Sequence, residues 1–435
     1  MSWWGSSAPV GERVHPPWKS QAADASNFGP LEAADLEWTC AGGFVTETQI
    51  FYVNLPDGRM LSIQIIHSAV GLWYPQIQTT FGIYDTSDPK AGKRTWRSVN
   101  VTNFVTAPAP NLDKRSVKSD QITVTVDTKQ PDTYTIRATY DKDVQVSLEV
   151  ARLPGVPGWK LGAGPRGGMT FFGTYKPPKE GASAGPAVDG SGGSDGYAIH
   201  RFWPRCSVKG VISMSGSVIE LDPATCRGML VHAIQGMRPN LLASRWAFAD
   251  FQTPSDDGVS LVSMQFTTPI ALGSKTVNIG SVVVDDKLVA ISCSDNSDPE
   301  ASGSGHDDAV LDADTGYKAP YTLNYRWRAP ALDGKPGDAP VVATIKHSIR
   351  QADAPTGEGA KYASVGLIEK VDVLAEIPAL IKRIVHATGT QPYIYQWLNT
   401  VEATISLPAI GDKPARTLHP KGQLFCEASY VSETP

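Results

Sequence analysis

From Ile122 to Val150 the chain alternates apolar and polar residues with a period of two. Ile122, Val124 and Val126 recur at every second position. Tyr134, Ile136, Ala138 and Tyr140 alternate with Thr135, Arg137 and Thr139, and Val144, Val146, Leu148 and Val150 alternate with Gln145, Ser147 and Glu149. Successive side chains of a strand point to opposite faces, so this pattern predicts antiparallel strands with one dry and one wet face, as in a barrel wall. Asp57-Gly58, between the apolar runs 51–55 and 60–66, predicts a hairpin. Val262, Met264 and Phe266 repeat the alternation in the second half, and Asp285-Asp286 predicts a turn joining 277–284 to 288–292.

The segment 177–196, PPKEGASAGPAVDGSGGSDG, has almost nothing to bury and reads as a flexible loop or linker near the midpoint. The pattern therefore predicts a mainly β chain of two antiparallel barrel domains in tandem, 35–200 and 201–435, after an N-terminal segment 1–34. That segment holds too many breakers for a long helix (Gly5, Pro9, Gly11, Pro16, Pro17, Gly29 and Pro30). Trp3, Trp4 and Trp18 within it suit a membrane surface, where an indole is half buried and its N–H stays hydrated. They suit equally well a set of rings tucked onto the first barrel. One amphipathic helix is predicted at 377–388, with Pro378 in its first turn and Gly389 beyond its end. Ile377, Leu380, Ile381, Ile384 and Val385 share a face that would pack on a barrel.

Composition agrees with this architecture. A length of 435 residues suffices for two or three domains, and 41% hydrophobic with 19% charged residues is the balance of a folded chain. Forty glycines and 33 prolines imply many turns. A net charge of −5 argues against nucleic acid as a partner, because phosphate binding draws on clustered Lys and Arg. No run of about 18 apolar residues predicts a membrane-spanning helix, and the first residues lack the basic and apolar regions of a secretory signal. The five scattered cysteines, Cys40, Cys206, Cys226, Cys293 and Cys426, then read as reduced cytosolic thiols.

Catalytic and metal motifs are missing from the sequence. Gly162-x-Gly164-x-x-Gly167 matches a dinucleotide fingerprint by letter, but Pro165 interrupts it and no crossover helix follows, so a loop is predicted. The histidines form no H-x-x-x-H, no Cys-x-x-Cys or G-x-S-x-G occurs, and Asp295 to Asp314 lacks calcium-loop spacing. No cofactor and no metal are expected. Redox chemistry at Cys40 or Cys206 would need a lowered thiol pKa. A barrel that holds a small apolar ligand needs only cavity shape.

The stretch 227–252, RGMLVHAIQGMRPNLLASRWAFADFQ, mixes greasy residues with a few polar ones, as suits the mouth of a ligand cavity; core plus a turn is the plainer reading. Its runs H-A-I-Q-G-M-R-P from His232 and A-S-R-W-A-F-A-D-F-Q from Ala243 resemble the survival factor 1 family of fungi. So do E-W-T-C-x3-F-V-T-E-T-Q-I-F-Y from Glu37, F-W-P-R from Phe202 and Q-P-Y-I-Y-Q-W from Gln391. The resemblance implies lipocalin-like barrels, a cytoplasmic protein at endoplasmic reticulum and Golgi membranes (and in the nucleus), ceramide carriage between those membranes, and survival of oxidative stress. The family's amphipathic N-terminal helix is not matched after the first few residues, so a weak peripheral contact through Trp3 and Trp4 is what remains. Candidate ligand-wall residues are Trp73, Tyr74, Trp246 and Phe248, with His232, Gln235 and Arg245 as polar contacts; His67 and Arg205 are further candidates. The alternative is a cofactor-independent isomerase, hydratase or cyclase on the same double barrel, with one acid such as Asp250 or His232.

Overall fold

The computed structural model describes residues 13–18, 27–69, 75–88, 92–107, 112–175, 194–254, 257–354, 359–373, 392–411 and 413–431. The expected helix 377–388, Trp3, Trp4, Trp73, Tyr74 and most of the 177–196 segment lie outside those residues.

The first sheet follows an up-and-down course. Its main path consists of β1 (Thr46–Asn54), β2 (Met60–Ser68), β3 (Gln76–Asp85), β4 (Lys93–Asn100), β5 (Val117–Lys118), β6 (Ile122–Asp127), β7 (Gln130–Thr139), β8 (Val144–Arg152), β9 (Gly196–Met214) and β10 (Arg227–Gln235). Their order is β4-β3-β2-β1-β10-β9-β8-β7-β6-β5, with antiparallel neighbours throughout. The two edges curl toward each other. Val105, just past β4, exchanges backbone hydrogen bonds with Lys118 of β5 at 2.8 and 2.9 Å, and the Tyr140 hydroxyl reaches the Thr80 carbonyl of β3 at 3.1 Å. The result is a barrel.

The alternating residues fill it. Ile122, Val124, Val126, Tyr134, Ile136, Ala138, Tyr140, Val144, Val146, Leu148 and Val150 all belong to one buried cluster with Phe51, Leu61, Ile63, Ile65 and Leu230. The predicted hairpin at Asp57-Gly58 joins β1 to β2, with Gly58 at φ 89°, where a Cβ would be strained. The G-x-G-x-x-G letters serve close backbone packing: a Cβ on Gly167 would fall 2.0 Å from the Gly162 carbonyl oxygen.

The second half repeats the plan, although its sequence carries no internal repeat. It runs β11 (Arg245–Gln252), β12 (Ser260–Thr267), β13 (Thr276–Val284), β14 (Lys287–Ser294), β15 (Gly303–Asp307), β16 (Thr322–Ala329), β17 (Val341–Ser348), β18 (Leu367–Asp372), β19 (Tyr393–Glu402), β20 (Thr404–Leu407), β21 (Arg416–Leu418) and β22 (Lys421–Tyr430). One sheet has the order β14-β13-β12-β11-β22-β19-β18 and another β15-β16-β17-β20-β21. They share a core in which Phe251, Leu261 and Val282 of the first meet Tyr325, Trp327, Ala343 and Ile345 of the second. As β1 pairs with β10, so β11 pairs with the final strand, β22. Asp285 and Asp286 both take positive φ, 53° and 51°, in the predicted turn between β13 and β14.

The division expected at 200/201 falls inside β9, whose residues on both sides of that point pair with β10. The first sheet continues to Gln235, and the second begins at Arg245. The glycine-rich stretch draws a boundary from composition, but it connects strands of one sheet.

A third cluster lies between the halves. The outward faces of the first sheet supply Tyr52, Met60, Tyr84, Phe202, Met229 and Val231; the second supplies Phe248, Val262, Phe266, Ile279 and Phe425. Strands β10 and β11 are therefore covered on both sides, which is why 227–252 reads as nearly continuous apolar sequence.

Candidate functional site

In β1 the residues that share the inner face with Phe51 and Val53 are Glu47 and Gln49, and both are fully buried. Strand register sets His67 of β2 opposite Glu47 and His232 of β10 opposite Gln49. Four polar side chains thus adjoin on the inner wall at one end of an otherwise hydrocarbon barrel. His232 Nε2 meets Glu47 Oε1 at 2.9 Å, with both side chains wholly inaccessible.

A strap crosses this end. Leu36 and Trp38 project from it into the barrel core, and the Trp38 ring lies 5.7 Å from His232 and 6.0 Å from Phe104. Glu47 holds the strap: it accepts from the Thr39 amide at 3.0 Å, the Thr39 hydroxyl at 2.7 Å and the Cys40 amide at 2.8 Å. Further back, buried Asp35 accepts from Lys160 Nζ at 2.7 Å.

Burial pushes the Glu47 carboxyl up, but the hydrogen bond and charge of His232, with the Thr39 amide and hydroxyl, outweigh it and hold the pKa below the usual carboxylate value. The carboxylate therefore accepts and His232 Nε2 donates, leaving Nδ1 without a partner. Trp38 Nε1 also ends unpaired, while the Gln49 side chain and the Tyr134 hydroxyl lie within hydrogen-bonding reach of each other. A buried polar atom with no partner costs about 1–3 kcal/mol, so His232 Nδ1 and Trp38 Nε1 are a standing cost that a hydrogen-bonding partner would relieve.

The predicted site residues separate along the strands. His232 and His67 face the first barrel's interior. Gln235 is half-buried at the end of β10. Phe248 stacks on Tyr52 at 5.4 Å and Trp246 packs on Phe266 at 5.0 Å, both between the barrels. Exposed Arg245 lies over the Tyr430 ring at 5.6 Å. The structure does not bring Trp246, Phe248 and Arg245 to His232, because neighbouring residues on β11 face opposite sides and the whole strand belongs to the other half. Glu47 and Gln49 are not among the candidates read from the sequence, because the sequence alone does not say which phase of β1 points inward.

Arg205 serves a different purpose. Pro204 sits at a register break in β9 between Trp203 and Cys206, where a residue without an N–H is tolerated. The extra residue turns Arg205 out of the barrel and into the seam. It donates to Asp286 at 2.6 Å, Gln252 at 3.0 Å and the Val259 carbonyl at 2.9 Å, while the Pro204 carbonyl accepts from Gln252 and Ser260. F-W-P-R is thus a clasp between the halves.

Beside the clasp lies Asp250, fully buried, with Oδ1 accepting from Gln252 at 2.7 Å and Oδ2 unpaired. Burial raises its pKa to about 7, against weaker lowering by Gln252 and Arg205. A carboxyl with a raised folded pKa stabilises the fold below the unfolded value and loses that contribution as pH climbs through the folded one. Asp250→Asn is therefore expected to flatten the decline in Tm between about pH 4 and 7, and to raise Tm at pH 8 by the equivalent of a few kcal/mol. Parallel Tm–pH curves for variant and wild type would contradict this.

Four of the five thiols are held protonated. Burial, then the Glu47 charge, pushes Cys40 up to about 12; burial also raises Cys206 and Cys226, and Cys426 to about 12. Reactive thiolates need the opposite shift. Among the described residues no three His, Cys, Asp or Glu side chains converge as a metal site. A groove of about 360 Å³ on the outer wall, lined by residues such as Asp120, Ile122, Arg137 and Val146, is too open to enclose a hydrocarbon tail.

Comparison with known proteins places this geometry. The model of the Svf1 family matches residues 5–432. The chain is 31% identical over 431 residues to the ceramide-binding protein svf1 of Schizosaccharomyces pombe, covering 98% of this chain and 97% of that protein. It is 31% identical over 425 residues to the ceramide-binding protein SVF1 of Yarrowia lipolytica, with 95% and 93% covered. Among solved structures, that of CghA is similar in fold, with a TM-score of 0.54 at 11% identity, covering 97% of this chain and 99% of that one. With its tandem lipocalin-like barrels and matching sequence over almost its whole length, the chain belongs to the Svf1 family.

Proposed function

We propose that this protein is a carrier of ceramide, without catalytic activity, with the lipid head at the Glu47–Gln49–His67–His232 cluster and the tails taking the place of side chains that fill the first barrel in the ligand-free form. The relatives' names supply the ligand. The observation that carries the reading is the buried cluster of four polar side chains at one end of an apolar barrel. A tail of about a dozen carbons loses on the order of 10 kcal/mol if carried bare through water, at ~0.8 kcal/mol per methylene. The amide and hydroxyls of the head need hydrogen-bond partners once out of water. We extend the reading to transfer from endoplasmic reticulum to Golgi, a location in the cytoplasm and at those membranes with a further nuclear pool, and support of survival under oxidative stress. A weak peripheral membrane contact through Trp3 and Trp4 would serve loading. Alanine at both positions tests that contact: liposome flotation should fall.

Native mass spectrometry of the protein purified from a eukaryotic host tests the carrier reading. Ceramide is expected to co-purify, or to load from ceramide-containing liposomes. An empty protein that takes up none would end the proposal. A second reading, an isomerase, hydratase or cyclase acting on a greasy small molecule, is favoured by one observation, the unpaired Asp250 oxygen with a pKa of about 7, two residues along the strand from Phe248. Under the carrier reading Asp250→Asn leaves ceramide uptake unchanged.

A further inference from the structure

We infer that the molecule rests on an anionic lipid bilayer with the end of the folded barrels that carries Phe44, Leu241 and Ile270, the same end that the strap closes. The inference rests on the carrier reading and names the face that lies on the membrane, in the folded loops and not in Trp3 and Trp4 alone. The three side chains are apolar and exposed, by 42%, 49% and 89%. One such side chain is ordinary on a protein surface; a group on one rim marks a contact site.

Sheet register gathers them. Phe44 precedes β1, whose first residue, Thr46, pairs with Gln235 at the end of β10. Leu241 lies in the connection from Gln235 to Arg245, and Arg245 pairs with Thr267, where the connection carrying Ile270 begins. Contacts follow the same path. The Arg238 guanidinium lies over the Phe44 ring at 4.3 Å. The Leu241 amide donates to the Arg238 carbonyl at 3.0 Å, and the Ser244 amide to the Thr267 carbonyl at 2.8 Å. Loops from both barrels thus form one rim.

Charge indicates what the rim rests on. The stretches 41–45, 236–244 and 268–275 hold Arg238 and Lys275 and no Asp or Glu, in a chain of net charge −5, and Arg245 adjoins them. Turns at the opposite end of the strands carry Asp57, Asp222, Asp285 and Asp286. Apolar tips among cations suit a bilayer with acidic head groups: the tips enter hydrocarbon while the cations stay with the phosphates. Residues 1–12, with Trp3 and Trp4, join the fold here too, since Arg13 donates to the Ala271 carbonyl beside Ile270 at 3.3 Å. Glu47, His67 and His232 lie within three residues of the strand ends at this rim. Docking therefore sets the strap and the mouth it closes against the lipid.

Flotation of the full-length protein with phosphatidylcholine vesicles, with and without phosphatidylserine, tests this. Wild type is expected to float with the acidic vesicles and to leave them as salt rises. Leu241→Glu combined with Ile270→Glu should weaken binding about tenfold or more. Arg238→Glu should weaken it as well. Tm should stay unchanged, because all three side chains are exposed. Val218→Glu, exposed toward the opposite end, should leave flotation as it is. If alanine at Trp3 and Trp4 abolishes flotation while Leu241→Glu with Ile270→Glu does not, the rim is not the docking surface. If wild type floats on neither vesicle and the double variant instead dissociates a dimer, the rim is a contact between copies and the inference fails. In either case co-purification of ceramide still decides the carrier reading separately.

Discussion

Arg205→Ala is expected to cost roughly 3–5 kcal/mol of stability, the usual penalty for removing one partner of a buried, hydrogen-bonded charge network. The reason is the number of groups that depend on one guanidinium. Its loss strands Gln252 Oε1, the carbonyls of Thr253, Pro254 and Val259, and the Asp286 carboxylate. Gln252, Thr253 and Val259 are buried and cannot turn to water. Asp286 itself is more than a third exposed, so Asp286→Asn should cost far less than Arg205→Ala. Chemical denaturation followed by tryptophan fluorescence checks the ranking. Equal losses from the two variants would mean that the clasp acts only as a surface ion pair.

Glu47→Leu carries the second large effect, also roughly 3–5 kcal/mol. Four donors lose their acceptor at once: His232 Nε2, the Thr39 amide, the Thr39 hydroxyl and the Cys40 amide. The strap should loosen with the fold, so amide exchange at Thr39 and Cys40 is expected to accelerate beyond what global unfolding accounts for. Adding His232→Leu should restore part of the loss, since the double variant removes the stranded imidazole as well. The contribution has a pH signature opposite to that of Asp250. Because the Glu47 pKa is lowered on folding, its stabilisation is present above the ordinary carboxylate range and disappears as pH falls through the folded value. A double variant no better than Glu47→Leu would show that the imidazole is not stranded.

Much of the fold was legible in the alternation. Ile122 to Val150 occupy the inward positions that their period assigned, and both aspartate-containing turns form where the runs break. What alternation could not reveal was which strands have a second covered face. β10 and β11 are buried on both sides, so Met229 to Ile234 reads as undifferentiated core, and a ligand wall was sought there among residues that face different compartments. His232 was found because an imidazole in an apolar run is conspicuous. Glu47 and Gln49 looked like ordinary wet-face residues, since the sequence does not say which phase of β1 points inward; Phe51 and Val53 settle it only once the sheet is closed. Arg205 was a candidate polar contact for the ligand, but its direction depends on the register break at Pro204, a tertiary feature. The linker-like composition of 177–196 suggested a domain boundary where the chain connects strands of one sheet, because loop chemistry is the same within a domain as between domains.

The central claim is that the head of the lipid sits inside the first barrel. A ceramide carrying a photoreactive group near its amide, loaded into the full-length protein, irradiated and mapped by peptide sequencing, tests this most directly. Adducts are expected on peptides containing 38–40, 47–49, 67 or 232. Labelling concentrated instead on Tyr52, Phe248 and Phe425 at the seam, or on Tyr325 and Trp327 in the second barrel, would contradict it.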